Sequence, residues 1–398
     1  MNVLFLTMNP FTDIEMHNIY ADLMKVFIQN GHKPYIVTPR EKKSGEGTAL
    51  SDRGDHAILT VQIGNTSGVS FVEKGISTVT LDSRFYRAIK THLADVSFDL
   101  ILYSTPPITL CGTIAKLKRE WGCRTYLMLK DIFPQNAVDL GLFPQGSVID
   151  RYFRQKEKRL YRLSDRIGCM SPANVSYLLK HQPALDPKNV TVCANAITPK
   201  FSDRLSDEER QAVRQKYNIP LDKTVFMYGG NLGKPQDIPF VIRCLQENAD
   251  KPDRFFVICG TGSEFPLLDE YVREKQPDNV LLLNGLPQSD YVDLVRALDV
   301  GLIFLDHRFT IPNFPSRVLS YMECSLPVLV CTDPCTDLGP IAEAGGFGWY
   351  CESDDPAKFT ACVDAAVTAD RQAMGARARE FLETEYSVSR VYEQILNV

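Results

Sequence analysis

The sequence lacks the motifs of several common enzyme classes. It contains no GxxxxGK[ST] phosphate loop, no GxSxG nucleophile motif and no HExxH zinc motif. It also has no DxD triplet for a nucleotide-bound cation, and its six histidines are dispersed without an HxH pair. We therefore assign no histidine to catalysis and predict no metal site.

Disulfide bonds and long hydrophobic runs are missing as well. The eleven cysteines are odd in number, scattered and without a CxxC pair, which favours buried thiols in a reducing compartment. No stretch approaches the roughly 18–20 apolar residues of a membrane span, and Met1–Leu6 has no basic leader. We expect a cytoplasmic protein that could lie peripherally on the cytoplasmic face of the inner membrane.

What the chain does have is an uneven distribution of charge. It has 398 residues, 44% of them hydrophobic, and a formal net charge of -5. Residues 1–195 carry 24 Lys and Arg against 18 Asp and Glu, and residues 196–398 carry 20 against 31. The length predicts two or three domains, and the charge difference suggests that the two halves meet different partners.

Short apolar runs alternate with amphipathic segments in both halves, which predicts two doubly wound α/β domains with parallel sheets. The predicted strands are Val3–Thr7, Tyr35–Thr38, Leu100–Tyr103, Thr125–Leu129, Arg166–Met170, Thr224–Tyr228, Phe255–Cys259, Val280–Leu283, Gly301–Phe304 and Val328–Val330. We predict Rossmann-like domains at 1–195 and 196–386. A last helix at 387–398 would fold back onto the first domain. Two such domains would face a central cleft, with ligands beyond the carboxyl ends of the strands.

Glycine-rich segments follow two strands of the second half. Gly229-Gly230-Asn231-Leu232-Gly233 precedes a predicted helix, so its backbone N–H groups could approach a phosphate. Gly260–Glu264 lacks the third glycine of a GxGxxG fingerprint. A tight turn without a ligand is the alternative interpretation of both, and a turn is also predicted at Gly345–Gly348.

Two charged residues are candidates for chemistry. Arg317 follows Pro315-Ser316, with Ser316 as a predicted cap of the helix Val318–Glu323, and could bind an anion at that helix start. Asp131 follows a strand of the first half and could accept a proton from a hydroxyl. The alternatives are a surface arginine and a helix-capping or turn aspartate.

A basic amphipathic segment lies at Arg151–Arg166, with seven basic residues against Glu157 and Asp165. It could lie on an anionic membrane, or it could be a solvated helix face. Arg84–Lys90 repeats the pattern more weakly. No nucleic-acid recognition module is visible, so no nucleic-acid partner is predicted.

Taken together, four segments resemble the family 4 glycosyltransferases of the GT-B fold, in the bacterial capsule and O-antigen branch. The resemblance covers essentially the whole chain. The segments are Asn18–Leu23 with Asn30–His32, Lys130–Gly141, Val190–Ile197 and Phe314–Val328.

This resemblance implies a metal-independent hexosyltransferase that uses no cofactor, since the nucleotide-sugar is a substrate. The donor, a UDP-sugar with GDP-sugar as the alternative, would bind the second domain. The acceptor would be a polyprenyl-diphosphate-linked sugar for cell-surface polysaccharide, and transfer would retain the anomeric configuration. Asp131 is the implied catalytic residue, and Thr12, Asp13 and Lys130 are on the acceptor side. The implied donor-binding residues are Gly230, Asn231, Leu232, Gln236, Gly262, Leu286, Ser316, Arg317 and Ser320.

The sequence departs from the family at several of these positions. Asn231 and Gln236 stand where many members have Arg and Lys, and Pro312 and Ser320 stand where many have glutamates. Diphosphate stabilisation would then depend on Arg317 and backbone N–H groups, with Lys234 as a further candidate. These losses indicate a divergent branch or lost activity, and we favour a divergent branch because the Pro-Ser-Arg and Gly-Asn-Leu-Gly patterns remain intact. The alternatives to a transferase are a nucleotide-sugar-binding protein without activity and a UDP-sugar 2-epimerase of the same fold.

Overall fold

The chain folds into two compact units, each built around its own β-sheet. The computed structural model describes residues 1–66, 68–200 and 205–397. Unit 1 comprises Met1–Thr198 and Ser387–Val398, and unit 2 comprises Pro199–Tyr386.

The sheet of unit 1 has eight strands in the order β3-β4-β2-β1-β5-β6-β7-β8. Every pairing in it is parallel except that of β3 with β4. The central strands β1, β5 and β6 are buried except at the first residues of β1 and β6, as expected for a parallel sheet covered by helices. The strands are β1 Asn2–Leu6, β2 Lys33–Glu41, β3 Ala49–Asp52, β4 Ala57–Ile63, β5 Leu100–Ser104, β6 Arg124–Leu129, β7 Arg166–Cys169 and β8 Val190–Val192.

Six helices cover this sheet within the first part of the chain. Polar residues define where several begin: the Asn18 side chain accepts from the N–H groups of Tyr20 and Ala21, and Ser147 accepts from that of Asp150. The helices are α1 Ile19–Gln29, α2 Phe71–His92, α3 Cys111–Trp121, α4 Gln135–Asp139, α5 Val148–Leu163 and α6 Pro172–His181.

The sheet of unit 2 has six strands, all parallel, in the order β11-β10-β9-β12-β13-β14. The order reverses between β9 and β12, which is where ligands bind in doubly wound sheets. The strands are β9 Thr224–Asn231, β10 Arg254–Thr261, β11 Val280–Leu283, β12 Val300–Phe304, β13 Val328–Thr332 and β14 Gly348–Glu352.

The described part of unit 2 contains eight α-helices, and one more helix returns to the first unit. The helices of unit 2 are α7 Asp207–Lys216, α8 Ile238–Glu247, α9 Phe265–Lys275, α10 Gln288–Ala297, α11 Arg317–Glu323, α12 Leu338–Ala344, α13 Pro356–Thr368 and α14 Arg371–Glu385. The last helix, α15 Val388–Leu396, belongs to unit 1 and packs against α1. Its Tyr392 hydroxyl lies 2.8 Å from His32 Nε2, and its ring meets Phe27 edge-on at 5.0 Å between centroids.

The sequence pattern missed four strands and one helix of the structure. Strands β3, β4 and β8 and helix α2 in unit 1, and strand β14 in unit 2, were not predicted. β3 is short and largely exposed, so it has no apolar pattern, and α2 has little apolar periodicity. The turn predicted at Gly345–Gly348 is present at Gly346, whose φ is +63°, but Gly348 already begins β14.

Among the described residues, no helix combines the length and the hydropathy that crossing a membrane would require.

Candidate functional site

At the carboxyl end of β9 in unit 2, glycine residues allow the backbone to lie very close to a side chain and to another backbone segment. Gly230 has a φ of +123°, which only glycine adopts easily, and a Cβ atom there would lie 1.9 Å from Arg317 Nη2. A Cβ atom at Gly262 would lie 2.1 Å from the Leu232 carbonyl oxygen. The predicted glycine-rich segments therefore form the ends of two neighbouring strands, and Gly230 leaves room for a guanidinium.

Arg317 begins α11 and reaches across to this strand end. Its guanidinium carbon lies 4.5 Å from the centre of the Tyr228 ring. Its Nη1 atom is shielded from solvent and has no hydrogen-bond partner among the described residues. Burial acts to lower the pKa of Arg317, but the nearby Tyr228, Tyr321 and Tyr291 raise it on balance. The β9–β12 switch point thus contains a charged hydrogen-bond donor without an acceptor among the described residues.

The neighbours of Arg317 on α11 are placed differently from the prediction. Ser316 is exposed and its side chain makes no capping hydrogen bond, because its backbone is already helical, with φ of -62° and ψ of -14°. The prediction of a serine cap was therefore wrong. Ser320 is half-buried one turn further along the helix, and Glu323 accepts a hydrogen bond from the Lys200 N–H at 2.7 Å.

The loop after β9 is held by its own side chains. Gln236 Oε1 accepts from Asn231 Nδ2 at 2.9 Å and from the Gly233 N–H at 3.2 Å. Leu232 is fully buried, its N–H donates to the Thr261 carbonyl at 2.8 Å, and its carbonyl accepts from Glu264. Leu232 and Gln236 thus brace the loop, whereas Asn231 is exposed at its surface.

Leu286 lies in the loop that follows β11. It is half-buried, beside Gly285, and a Cβ atom at Gly285 would lie 3.3 Å from Thr261 Cγ2 at the end of β10. Because all strands of this sheet are parallel, Gly230 near the end of β9, Gly262 just after β10 and Leu286 after β11 lie at the same edge of the sheet. In doubly wound folds this is the edge at which ligands bind.

In unit 1, Asp131 lies just beyond β6 in a largely desolvated position. Burial raises its pKa to about 6, although hydrogen bonds from the Ile132 N–H and from Asn136 act to lower it. Asn136 Nδ2 lies 2.8 Å from both carboxylate oxygens. Thr105 Oγ1 accepts from the N–H groups of Lys130 and Asp131 at 3.0 and 3.1 Å. Asp131 is therefore a fixed carboxylate with a raised proton affinity.

Lys130 is the other charged group at this strand end. Its Nζ lies 3.4 Å from the Cys193 carbonyl oxygen, and burial lowers the pKa of its ammonium group. The Asn136 and Thr105 contacts were not predicted. Asn136 lies in the same Lys130–Gly141 stretch, at the start of α4 and five residues after Asp131. This short separation was the available signal for their contact.

Thr12 and Asp13 lie in the exposed loop after β1, and Asp13 accepts from the Glu15 N–H at 2.8 Å. Two adjoining depressions open beside this loop, of about 480 and about 540 Å³, and Thr12, Arg40 and Thr60 line both. Their outer walls include residues of β3 and β4. Because neither strand was predicted, the sequence did not point to these depressions.

One cluster of three potential metal ligands occurs among the described residues. His307, Glu352 and Asp354 in unit 2 each place one ligand atom within 4.8 Å of the others. Lys358 Nζ lies 2.9 Å from an Asp354 oxygen and 3.9 Å from Glu352. An ammonium group of this chain therefore already pairs with these carboxylates.

The exposed face of α5 is cationic and partly apolar. Arg151, Lys158, Arg159 and Arg162 are exposed, while Asp150 and Glu157, the acids of this helix, are buried. Burial raises the pKa of Glu157 to about 7. Three apolar side chains near the helix start are exposed at 82, 41 and 38%: Val148, Ile149 and Tyr152. The face therefore presents positive charge without negative charge, next to hydrophobic groups.

Two doubly wound α/β units in one chain are typical of proteins with the GT-B fold. Comparison with known families agrees. Residues 17–201 match Glycosyltransferase Family 4, and residues 209–381 match Glycosyl transferases group 1. The chain therefore belongs to the family 4 glycosyltransferases of the GT-B fold.

Individual relatives are more distant. The chain is 25% identical over 291 residues to a Pseudomonas aeruginosa protein named as the glycosyltransferase WbjE, covering 73% of this chain and 71% of that one. It is 23% identical over 313 residues to Escherichia coli WcaI, named as a colanic acid biosynthesis glycosyl transferase, covering 75% and 73%. The crystal structure of Anabaena Alr3699/HepE in complex with UDP and glucose superposes with a TM-score of 0.72 at 13% identity, over 100% and 98% of the two chains.

The geometry around Asp131 predicts how its pKa responds to mutation. Asn136→Ala removes two hydrogen bonds that stabilise the carboxylate, so the pKa of Asp131 should rise above about 6, by about one unit. Carboxyl ¹³C NMR titration measures this shift. Gln135→Ala is the control, because Gln135 contacts Asp139 and Arg154 instead. An unchanged or lowered pKa in Asn136→Ala would contradict the assignment.

Proposed function

We propose that this chain transfers a sugar from a UDP-sugar to a lipid-linked glycan acceptor during synthesis of a cell-surface polysaccharide, without a metal and with retention of anomeric configuration. The observation that carries the proposal is the unpartnered Arg317 Nη1 at the glycine-lined switch point of unit 2. Phosphate and carboxylate oxygens are the acceptors whose geometry a guanidinium matches, and a diphosphate supplies several such oxygens. The HepE complex with UDP and the WcaI name support the donor and the pathway class.

The donor would bind at the carboxyl edge of the unit 2 sheet. Arg317 would contact the diphosphate together with backbone groups of Gly230 and Asn231, and the surrounding low-dielectric site would strengthen this attraction. Leu286 and Gly262 would lie against the nucleoside. Ser316 and Ser320 would contact the donor through their hydroxyl groups. The ribose would bind a hydroxyl rather than a carboxylate, because position 320 is a serine.

Asp131 would orient and deprotonate the acceptor hydroxyl. A carboxylate with a pKa of about 6 is ionised at neutral pH, yet it accepts a proton more readily than an ordinary aspartate. Lys130, whose pKa burial lowers, lies next to it, and Thr12 and Asp13 lie beside the depressions that would receive the acceptor. The leaving diphosphate takes the negative charge, which Arg317 would stabilise.

The role of Asp131 has a kinetic consequence. Asp131→Asn should lower kcat by about 100-fold or more, with UDP affinity within about threefold of wild type. Wild-type turnover should fall as pH drops through about 6, since protonation removes the base, and this acidic limb should be missing in the variant. Release of UDP and GDP from a panel of their sugars, with and without a polyprenyl-diphosphate-linked sugar, measures turnover.

Asp139→Asn is the matched control, because its carboxylate bonds Gln135 on α4 and should leave turnover within a few-fold of wild type. Near-normal turnover in Asp131→Asn would contradict the role. Donor binding by the wild type without transfer or hydrolysis would identify a binding protein instead.

The role of Arg317 is tested by comparing ligands with and without phosphates. Arg317→Ala should weaken UDP binding by about 10- to 100-fold, because charge-assisted hydrogen bonds are lost, and should change uridine binding less than twofold. Calorimetric titration measures both. Arg243→Ala is the control, since Arg243 on α8 also lies over an aromatic ring, that of Phe240 at 5.4 Å, but its side chain is exposed. Equal losses for UDP and uridine would argue against a diphosphate contact.

A lipid-linked acceptor places the enzyme at a membrane, and α5 is the surface we assign to it. Its cations would attract anionic lipid while Val148, Ile149 and Tyr152 enter the interface. Nothing in this assignment requires a membrane-spanning helix.

Charge reversal tests this surface. The double variant Arg151→Glu/Arg159→Glu should lower binding to vesicles of phosphatidylglycerol and phosphatidylcholine by more than about tenfold, at about 1 kcal/mol per lost cation. Cosedimentation measures the binding. Arg273→Glu/Lys275→Glu on exposed positions of α9 is the control with the same charge change. Equal loss in both variants, or wild-type binding to pure phosphatidylcholine of the same strength, would contradict the assignment.

A further inference from the structure

The switch point of unit 2 is an opening between two strands. β9 and β12 pair only at Phe226 with Val300 and at Met227 with Gly301. On its other edge, β9 stays paired with β10 as far as Asn231. A strand that loses one neighbour leaves backbone N–H and C=O groups that need other partners.

Tyrosine hydroxyls provide hydrogen-bond partners for backbone groups near the end of β9, where the pairing with β12 stops. The Tyr321 hydroxyl donates to the Met227 carbonyl at 3.0 Å and accepts from the Gly229 N–H at 3.2 Å. Further along, the Tyr228 hydroxyl donates to the Asn231 carbonyl at 2.7 Å. Tyr321 is fully buried, and burial raises its pKa, so the hydroxyl keeps its proton and remains a donor.

The surrounding backbone is shaped for this arrangement. A Cβ atom at Gly301 of β12 would lie 2.3 Å from Tyr321 Cγ, so any larger residue there would displace the ring. Tyr321 and Arg317 are four residues apart on α11 and therefore share one face of that helix. One helix face thus holds the strand end through Tyr321 and places a cation against it through Arg317.

We propose that Tyr321 is a positioning residue for the donor site. Its hydroxyl holds the end of β9 apart from β12 and fixes Gly229, Gly230 and Asn231 in the conformation that receives a diphosphate. This inference rests on the proposed donor site, but it concerns a residue that does not itself touch the nucleotide.

Tyr321→Phe removes the hydroxyl and keeps the ring. It leaves the Met227 carbonyl and the Gly229 N–H without their partner, so we expect UDP affinity to fall about tenfold and uridine affinity to change less than twofold. Tyr271→Phe, another buried tyrosine of unit 2 on α9, is the control and should leave both affinities unchanged. UDP affinity equal to wild type, or equal losses for UDP and uridine, would overturn the proposal.

A measurement without nucleotide separates this inference from the proposed function. Amide hydrogen exchange of peptides spanning β9 should be faster in Tyr321→Phe than in wild type and in Tyr271→Phe. Tyr228→Phe is a second variant and should speed exchange in the same peptides. If wild-type protein binds neither UDP nor GDP, the proposed function fails, while faster exchange still supports the holding role. Unchanged exchange in Tyr321→Phe would overturn that role.

Discussion

The contact between Arg317 and Gly230 constrains the rest of unit 2. A guanidinium can occupy this place only because position 230 has no side chain, and the strand end can bend there only because glycine tolerates a φ of +123°. The cation is held over Tyr228 and leaves one nitrogen without a partner among the described residues. Leaving a buried donor unpaired costs free energy, and this cost is the physical basis of the diphosphate contact proposed for Arg317.

The same constraint explains how an acidic half of the chain could attract an anion. Residues 196–398 carry 31 acidic against 20 basic residues, so overall charge would repel a nucleotide diphosphate. At the strand edge the local arrangement decides instead, because charges near a low-dielectric surface act strongly over a few ångströms while distant charges are screened. In unit 1 the corresponding strand edge holds Asp131, whose burial produces the raised proton affinity.

Much of the scaffold could be predicted from apolar runs and glycines. The ten strands inferred from the sequence are all present, because each is a short apolar run whose pattern depends on local residues. β3 was missed because its residues show no clear apolar alternation, and β14 was missed because it directly follows a glycine cluster. The depressions beside Thr12 were missed because residues of the unpredicted strands β3 and β4 line them. Within the site, the positions of Asp131 and Arg317 at strand and helix ends followed from the sequence, but the functions assigned to them remain proposals.

The sequence by itself determined the doubly wound class of both units and the family of the chain, since strand periodicity and short motifs are local properties. Only the tertiary structure decided which partners each candidate has. It paired Gln236 with Asn231 and Gly233, buried Leu232 in the core, left Ser316 without a capping bond and set Tyr321 between β9 and β12. The last of these outcomes joins Met227 and Tyr321, which are 94 positions apart and which no local pattern relates.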